Sequence, residues 1–89
     1  MQRIIINADD FGINDTVTSE IKKMIELKAI SSTTIMANGK SLEKVKEIVS
    51  EYPEISFGVH LCMDELDSLT RSDIFLKYGI INIDGEFIK

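Results

Sequence analysis

Three short apolar runs alternate with two stretches of helical periodicity over the first two thirds of the chain, and this alternation constrains the fold more than any other feature. Ile4-Ile5-Ile6-Asn7-Ala8-Asp9-Asp10-Phe11-Gly12 begins with β-branched residues. It reads as a buried strand that ends on two adjacent carboxylates and a glycine turn. Asn14 and Asp15 are both good helix N-caps, and Val17, Ile21, Met24, Ile25 and Ala29 follow at helical spacing with charged residues between them. Ser31 to Met36 is β-branched and stops at the turn signal Ala37-Asn38-Gly39. Ser41 then caps a second amphipathic stretch carrying Leu42, Val45, Ile48, Val49 and Tyr52, which Pro53 ends by pushing its predecessor out of the α region. A third strand is expected over Ile55 to Leu61. Strand, helix, strand, helix, strand with short connections is a βαβαβ unit, so the fold class is α/β with parallel strands.

Beyond Leu61 the pattern changes. Met63 to Ser72 is polar and acidic with no sustained period and reads as a loop, with Asp64, Glu65 and Asp67 solvated at its edge. Ile80-Ile81-Asn82-Ile83 and Glu86-Phe87-Ile88 flank Asp84-Gly85, a two-residue β-hairpin signal.

With 89 residues the chain makes one domain at most, with a thin core. A net charge of −5 and a pI near 4.7 repel phosphate backbones, and no Lys/Arg cluster interrupts that field. Nucleic acid is therefore not an expected partner. No apolar run of about 18 residues is present to span a bilayer, and the N-terminus lacks the regions of a secretory signal. The expected compartment is the cytoplasm, with no membrane partner. The single cysteine, Cys62, cannot form an internal disulfide.

The chemistry-bearing residues sit at strand ends, where α/β folds keep their sites. Asp9 and Asp10 close the first strand and His60, the only histidine, closes the third. Neighbouring residues in a strand point to opposite faces, so both aspartates serve one site only if the strand is giving way to a turn. Two carboxylates this close resist joint ionisation unless a cation lies between them. One could bind a divalent metal while the other takes a proton from its water, and a neutral imidazole is a suitable further ligand. The plainer alternative is an acidic turn near a helix N-terminus, where the dipole favours negative charge. A thiolate at Cys62, held by His60, is a second alternative, against a small buried side chain.

Ile6-Asn7-Ala8-Asp9-Asp10-Phe11-Gly12, the strand Thr33-Thr34-Ile35-Met36-Ala37-Asn38, Gly58-Val59-His60-Leu61-Cys62 and the tail from Gly79 to Phe87 together resemble the YdjC-like carbohydrate deacetylases. The resemblance implies a (β/α) barrel-like fold that removes acetyl groups from N-acetylated sugars or oligosaccharides with one divalent metal, zinc or magnesium. Asp10 and His60 would be metal ligands and Asp9 the general base. The family's second histidine has no counterpart here, since the chain holds one histidine. A full barrel takes about 250 residues, so the resemblance implies an N-terminal portion: an incomplete barrel plus the hairpin, with little activity alone. Its open edge would pair with a second copy or with the remainder of a barrel. Two other readings stand beside it. One is a receiver-like signalling module, which also places an acidic pair after its first strand. The other is a non-catalytic, self-associating fragment.

Overall fold

The structure is a computed structural model that describes residues 3–62, 65–69 and 73–88. Three parallel strands, β1 (Asn7–Phe11), β2 (Ser32–Met36) and β3 (Ser56–His60), form one sheet in the order β1-β2-β3. Helices α1 (Asp15–Glu26) and α2 (Leu42–Glu51) make the crossovers, as their periodicity predicts. The order departs from that of the receiver-like alternative. A receiver-like, doubly wound sheet places its first strand between the second and third. Here β2 is the middle strand, so the chain winds in one direction over these three strands.

The core lies between the sheet and the two helices. Phe11, Ile21, Ile25, Ile30, Val45 and Ile48 are buried, with Ala8, Ile35 and Phe57 packed on them from the strands. The Phe11 and Phe57 rings stack with centroids 6.1 Å apart, spanning β2. Thr18 joins this interior although its hydroxyl hides it from an apolar pattern: it is 1% exposed and accepts a hydrogen bond from the Gly12 amide at 3.1 Å. Asn14 caps α1, its Oδ1 accepting from the Val17 amide at 2.8 Å. Ser41 occupies the N-cap of α2 without a side-chain capping bond. Its hydroxyl donates instead to Asp15, which Lys44 also approaches at 3.3 Å, so the two helix starts are tied to each other.

Several expectations are corrected. The first strand does not run through Ile4 to Ile6. The ladder starts where the Ser31 and Ser32 amides donate to the Ile6 carbonyl, and Ile4 and Ile5 are 79% and 81% exposed. A parallel strand is buried only when layers cover both faces, and among the described residues nothing covers this run. The chain after β3 holds a short helix, α3 (Asp73–Lys77), that no period announced. Of the expected acidic loop, residues 65–69 are described, while Met63, Asp64 and Thr70 to Ser72 lie outside the described residues. The terminal hairpin is present as an antiparallel bridge between Ile81 and Phe87, with a different turn. Asn82 donates to the Glu86 carbonyl and accepts from Gly85, and Gly85 alone has a positive φ, of 85°, within that turn. The connection therefore has three residues closed by a left-handed glycine, because a two-residue type I′ turn would need Asp84 at positive φ as well.

The turns after β1 and β2 touch backbone to backbone. A Cβ on Gly39 would lie 2.1 Å from the Gly12 carbonyl oxygen, while one on Gly58 would meet only a Thr34 methyl at 3.6 Å. Gly39→Ala is expected to destabilise the chain by about 1–3 kcal/mol in urea unfolding, whereas Gly58→Ala leaves stability within about 0.5 kcal/mol. The Ser41 hydrogen bond, followed by Lys44, holds the Asp15 carboxyl below its ordinary 3.8. Stability from that depressed pKa is complete above the unfolded value and disappears as pH falls through the folded one. Asp15→Asn is thus expected to flatten the acid side of the stability curve, read by melting between roughly pH 2 and 5.

Candidate metal centre

The geometry of the candidate site begins with an irregularity in β1. Asn7 and Ala8 pair with Ser32 and Thr33, but Phe11 pairs with Ile35. Asp9 and Asp10 together therefore oppose the single residue Thr34, which makes a β-bulge. Asp10 absorbs the extra residue with φ of 67°, the left-handed region that an aspartate tolerates better than most residues. The expectation that the strand must yield to a turn here is replaced by a bulge inside the strand, which resumes at the fully buried Phe11.

The bulge re-aims one carboxylate. β1 and β3 are not neighbours, and two strand spacings put their backbones roughly 9.5 Å apart. Nevertheless Asp10 Oδ1 lies 3.2 Å from His60 Nδ1, the two side chains meeting over β2. His60 is held at its place by register, opposite Met36 at the end of the β2–β3 ladder. Its Nδ1 is buried and has no hydrogen-bond partner in the structure, so the 3.2 Å approach to Asp10 is a contact without hydrogen-bond geometry. The side chains are 47% and 31% exposed, so the site is open to solvent on one side.

Asp9 is held differently. Its Oδ1 accepts from Asn7 Nδ2 at 2.9 Å, and the Ser32 hydroxyl donates to Asn7 Oδ1 at 2.7 Å. This polar chain runs across the first register row of the sheet. Asp9 lines the groove between β1 and α1, together with Ala8, Val17, Ile21 and Met24. The structure thus brings Asp10 and His60 together and leaves Asp9 beside them on the same bulge, oriented by Asn7. Cys62 donates weakly to the Glu65 carbonyl, with Sγ 3.8 Å away.

Donors 3.2 Å apart suit neighbouring ligands of one ion whose bonds are about 2.0–2.2 Å long, and the unpartnered imidazole nitrogen is the atom such an ion would engage. Two protein donors fit. Among the described residues no group of three potential ligands gathers at one point.

Sequence reasoning overlooked Asn7 and Asn38. Asn7 stood in view as the neighbour of the aspartates, but its tie to Ser32 depends on strand register. Asn38 belonged to a turn signal. In the structure its Nδ2 donates to the carbonyls of Glu65 at 2.8 Å and Asp67 at 2.9 Å, fastening the segment after β3 to the end of β2.

A model of the YdjC-like protein family matches residues 3–88. A carbohydrate deacetylase of Oceanobacillus iheyensis is 39% identical over 83 residues, covering 85% of this chain and 36% of the relative. A second, from Halalkalibacterium halodurans, is 34% identical over 85 residues, covering 96% of this chain and 34% of the relative. A solved Enterococcus faecalis structure, described as a candidate cellobiose-phosphate cleavage protein, superposes with a TM-score of 0.73 at 27% identity, covering 93% of this chain and 32% of that one. The chain therefore spans about a third of the length of these relatives.

The bulge yields a direct backbone prediction. Asp10→Gly and Asp10→Ala lose the same carboxylate but differ at positive φ, where alanine is strained and glycine is not. Asp10→Gly is expected to be about 1 kcal/mol more stable than Asp10→Ala by urea unfolding.

Proposed function

Because the chain belongs to the YdjC-like family, we propose that it carries the β1 and β3 share of a metal-dependent site that removes acetyl groups from N-acetylated sugars. One observation supports this above the rest: a carboxylate and an unpartnered imidazole nitrogen, from strands that are not adjacent, meet at 3.2 Å. The relatives' description as carbohydrate deacetylases supports hydrolysis of an acetyl group.

In this reading Asp10 and His60 hold a divalent ion, zinc or magnesium. When bound, the ion supplies positive charge that polarises an amide carbonyl and eases deprotonation of water. Asp9 is the general base: its carboxylate takes the proton from water attacking the acetamide carbon, and acetate and a free amine result. Asn7 keeps that carboxylate in place through the bond to Oδ1, and Ser32 orients Asn7 in turn. A catalytic site of this kind typically needs a third protein ligand. The resemblance assigns it to a second histidine, and this chain has one histidine. The 89 residues alone are thus expected to bind metal weakly and turn over little substrate.

Equilibrium dialysis with zinc tests the assignment. The wild-type chain is expected to retain one weakly held ion. His60→Ala and Asp10→Asn are expected to lower its retention at least about tenfold, with Asp9→Asn keeping most of it. Equal retention by wild type, His60→Ala and Asp10→Asn would refute the metal centre.

A further inference from the structure

The segment that follows β3 is fastened to the end of β2 by the Asn38 side chain, whose Nδ2 donates to the carbonyls of Glu65 at 2.8 Å and Asp67 at 2.9 Å. The Ser68 amide donates to the Gly85 carbonyl at 2.8 Å and the Phe87 amide to the Leu66 carbonyl at 3.0 Å, which joins loop 65–69 to the hairpin as one piece. Between this piece and the strand ends lies a cavity of about 220 Å³, bordered by His60 and Asn38 and walled by Phe75 of α3 and Phe87 of the hairpin. The residue after Asn38 is Gly39, and of the asparagines at 7, 14, 38 and 82 this alone precedes a glycine. Asparagine is among the heat-labile residues. With no side chain on the residue that follows, the backbone nitrogen can approach the asparagine Cγ with least hindrance.

We propose that Asn38 is a deamidation site: its conversion to a carboxylate unfastens the loop and hairpin from β2, and the fold restrains that conversion while the amide is held. The Gly39 nitrogen gives its proton to a solvent base and bonds to Asn38 Cγ, while the Cγ–Nδ2 bond breaks and Nδ2 leaves as ammonia, taking a proton from water. Water then opens the resulting cyclic imide at either carbonyl, giving aspartate, or isoaspartate with the main chain rerouted through the side chain. The net change consumes one water and releases one ammonia, without oxidation or reduction. Two features restrain the first step. Both hydrogens of the Asn38 amide are engaged by loop carbonyls, and the Gly39 amide donates to the Met36 carbonyl at 2.9 Å. Attack therefore waits on local opening. Either product undoes the fastening. An aspartate is ionised at neutral pH and carries acceptors only, so it would face two carbonyl oxygens with nothing to donate to them. Isoaspartate adds a methylene to the main chain where even a Cβ on Gly39 would lie 2.1 Å from the Gly12 carbonyl oxygen.

The test follows the wild-type chain by peptide-resolved mass spectrometry at mildly alkaline pH, folded and in urea, with the peptides holding Asn7, Asn14 and Asn82 as internal references. Asn38 is expected to convert fastest of these in urea, and at least about tenfold more slowly in the folded chain. Hydrogen exchange is then compared between wild type and Asn38→Asp, which reproduces one product. The Ser68 and Phe87 amides are expected to exchange at least about tenfold faster in Asn38→Asp, because a hairpin without a supporting layer is marginally stable, while the Ile21 and Ile25 amides keep their protection. Conversion in urea no faster at Asn38 than at the other asparagines, or equal Asn38 rates folded and in urea, would overturn the site. Unchanged exchange at Ser68 and Phe87 in Asn38→Asp would overturn the unfastening. Loss of protection at Ile21 and Ile25 as well would show global unfolding in place of a local release, and would overturn it too.

Discussion

The candidate site depends on one backbone residue in an uncommon conformation. With a regular β1, Asp9 and Asp10 would point to opposite faces of the sheet in register with β2. The extra residue at the bulge, absorbed by Asp10 at a φ of 67°, moves one carboxylate over β2 to within 3.2 Å of His60. A left-handed aspartate costs about 1 kcal/mol relative to a relaxed strand residue, and parallel bulges are rare. Such strain persists only where its surroundings hold it. Here Phe11 is fully buried on one side of the bulge, and Ala8 is paired on the other, where the Thr33 hydroxyl donates to its carbonyl at 2.7 Å. The packing that stabilises the core thus also brings Asp10 to His60.

The turns beyond the strands extend this coupling. Gly12 accepts from the Ser41 amide through its carbonyl and donates to Thr18 through its amide, and Gly39 lies against the same peptide. Asp15 joins the start of α1 to Ser41 and Lys44 at the start of α2. The turns after β1 and β2, the second of which carries Asn38, are therefore one packed layer at the C-terminal ends of those strands. His60 and the cavity beside it belong to that same end of the sheet. The opposite end, where Ile4 and Ile5 stand largely exposed, has no such layer among the described residues.

The chain belongs to the YdjC-like family and spans about a third of the length of these relatives, and its surface is unevenly covered. Among the described residues no further strand pairs with either edge of the sheet β1-β2-β3, and Val59 on β3 is 67% exposed although it sits in the row of Phe11 and Ile35. In the helix-facing row the first two positions are covered by α1 and α2. The third has no covering helix among the described residues. No helix there is long and apolar enough to cross a membrane.

Apolar runs, helical spacing and capping signals were enough to place the two helices, the second and third strands, the proline stop after α2 and His60 at the end of β3, whereas β1, expected from Ile4, begins at Asn7. Such placements follow from interactions within a few residues: i to i+4 burial on a helix, alternation along a strand, an N-cap accepting three residues on. Strand order, the bulge and the exposure of Ile4 and Ile5 were beyond them, because each depends on what another strand presents. A bulge is a count of two residues against one, and only the partner supplies the one. The same holds for Asn38, whose amide reaches carbonyls 27 and 29 residues away. It holds too for the cavity by His60, assembled from a helix and a hairpin that carry no signal of their destination. Local chemistry named the groups able to act; long-range packing decided which of them meet.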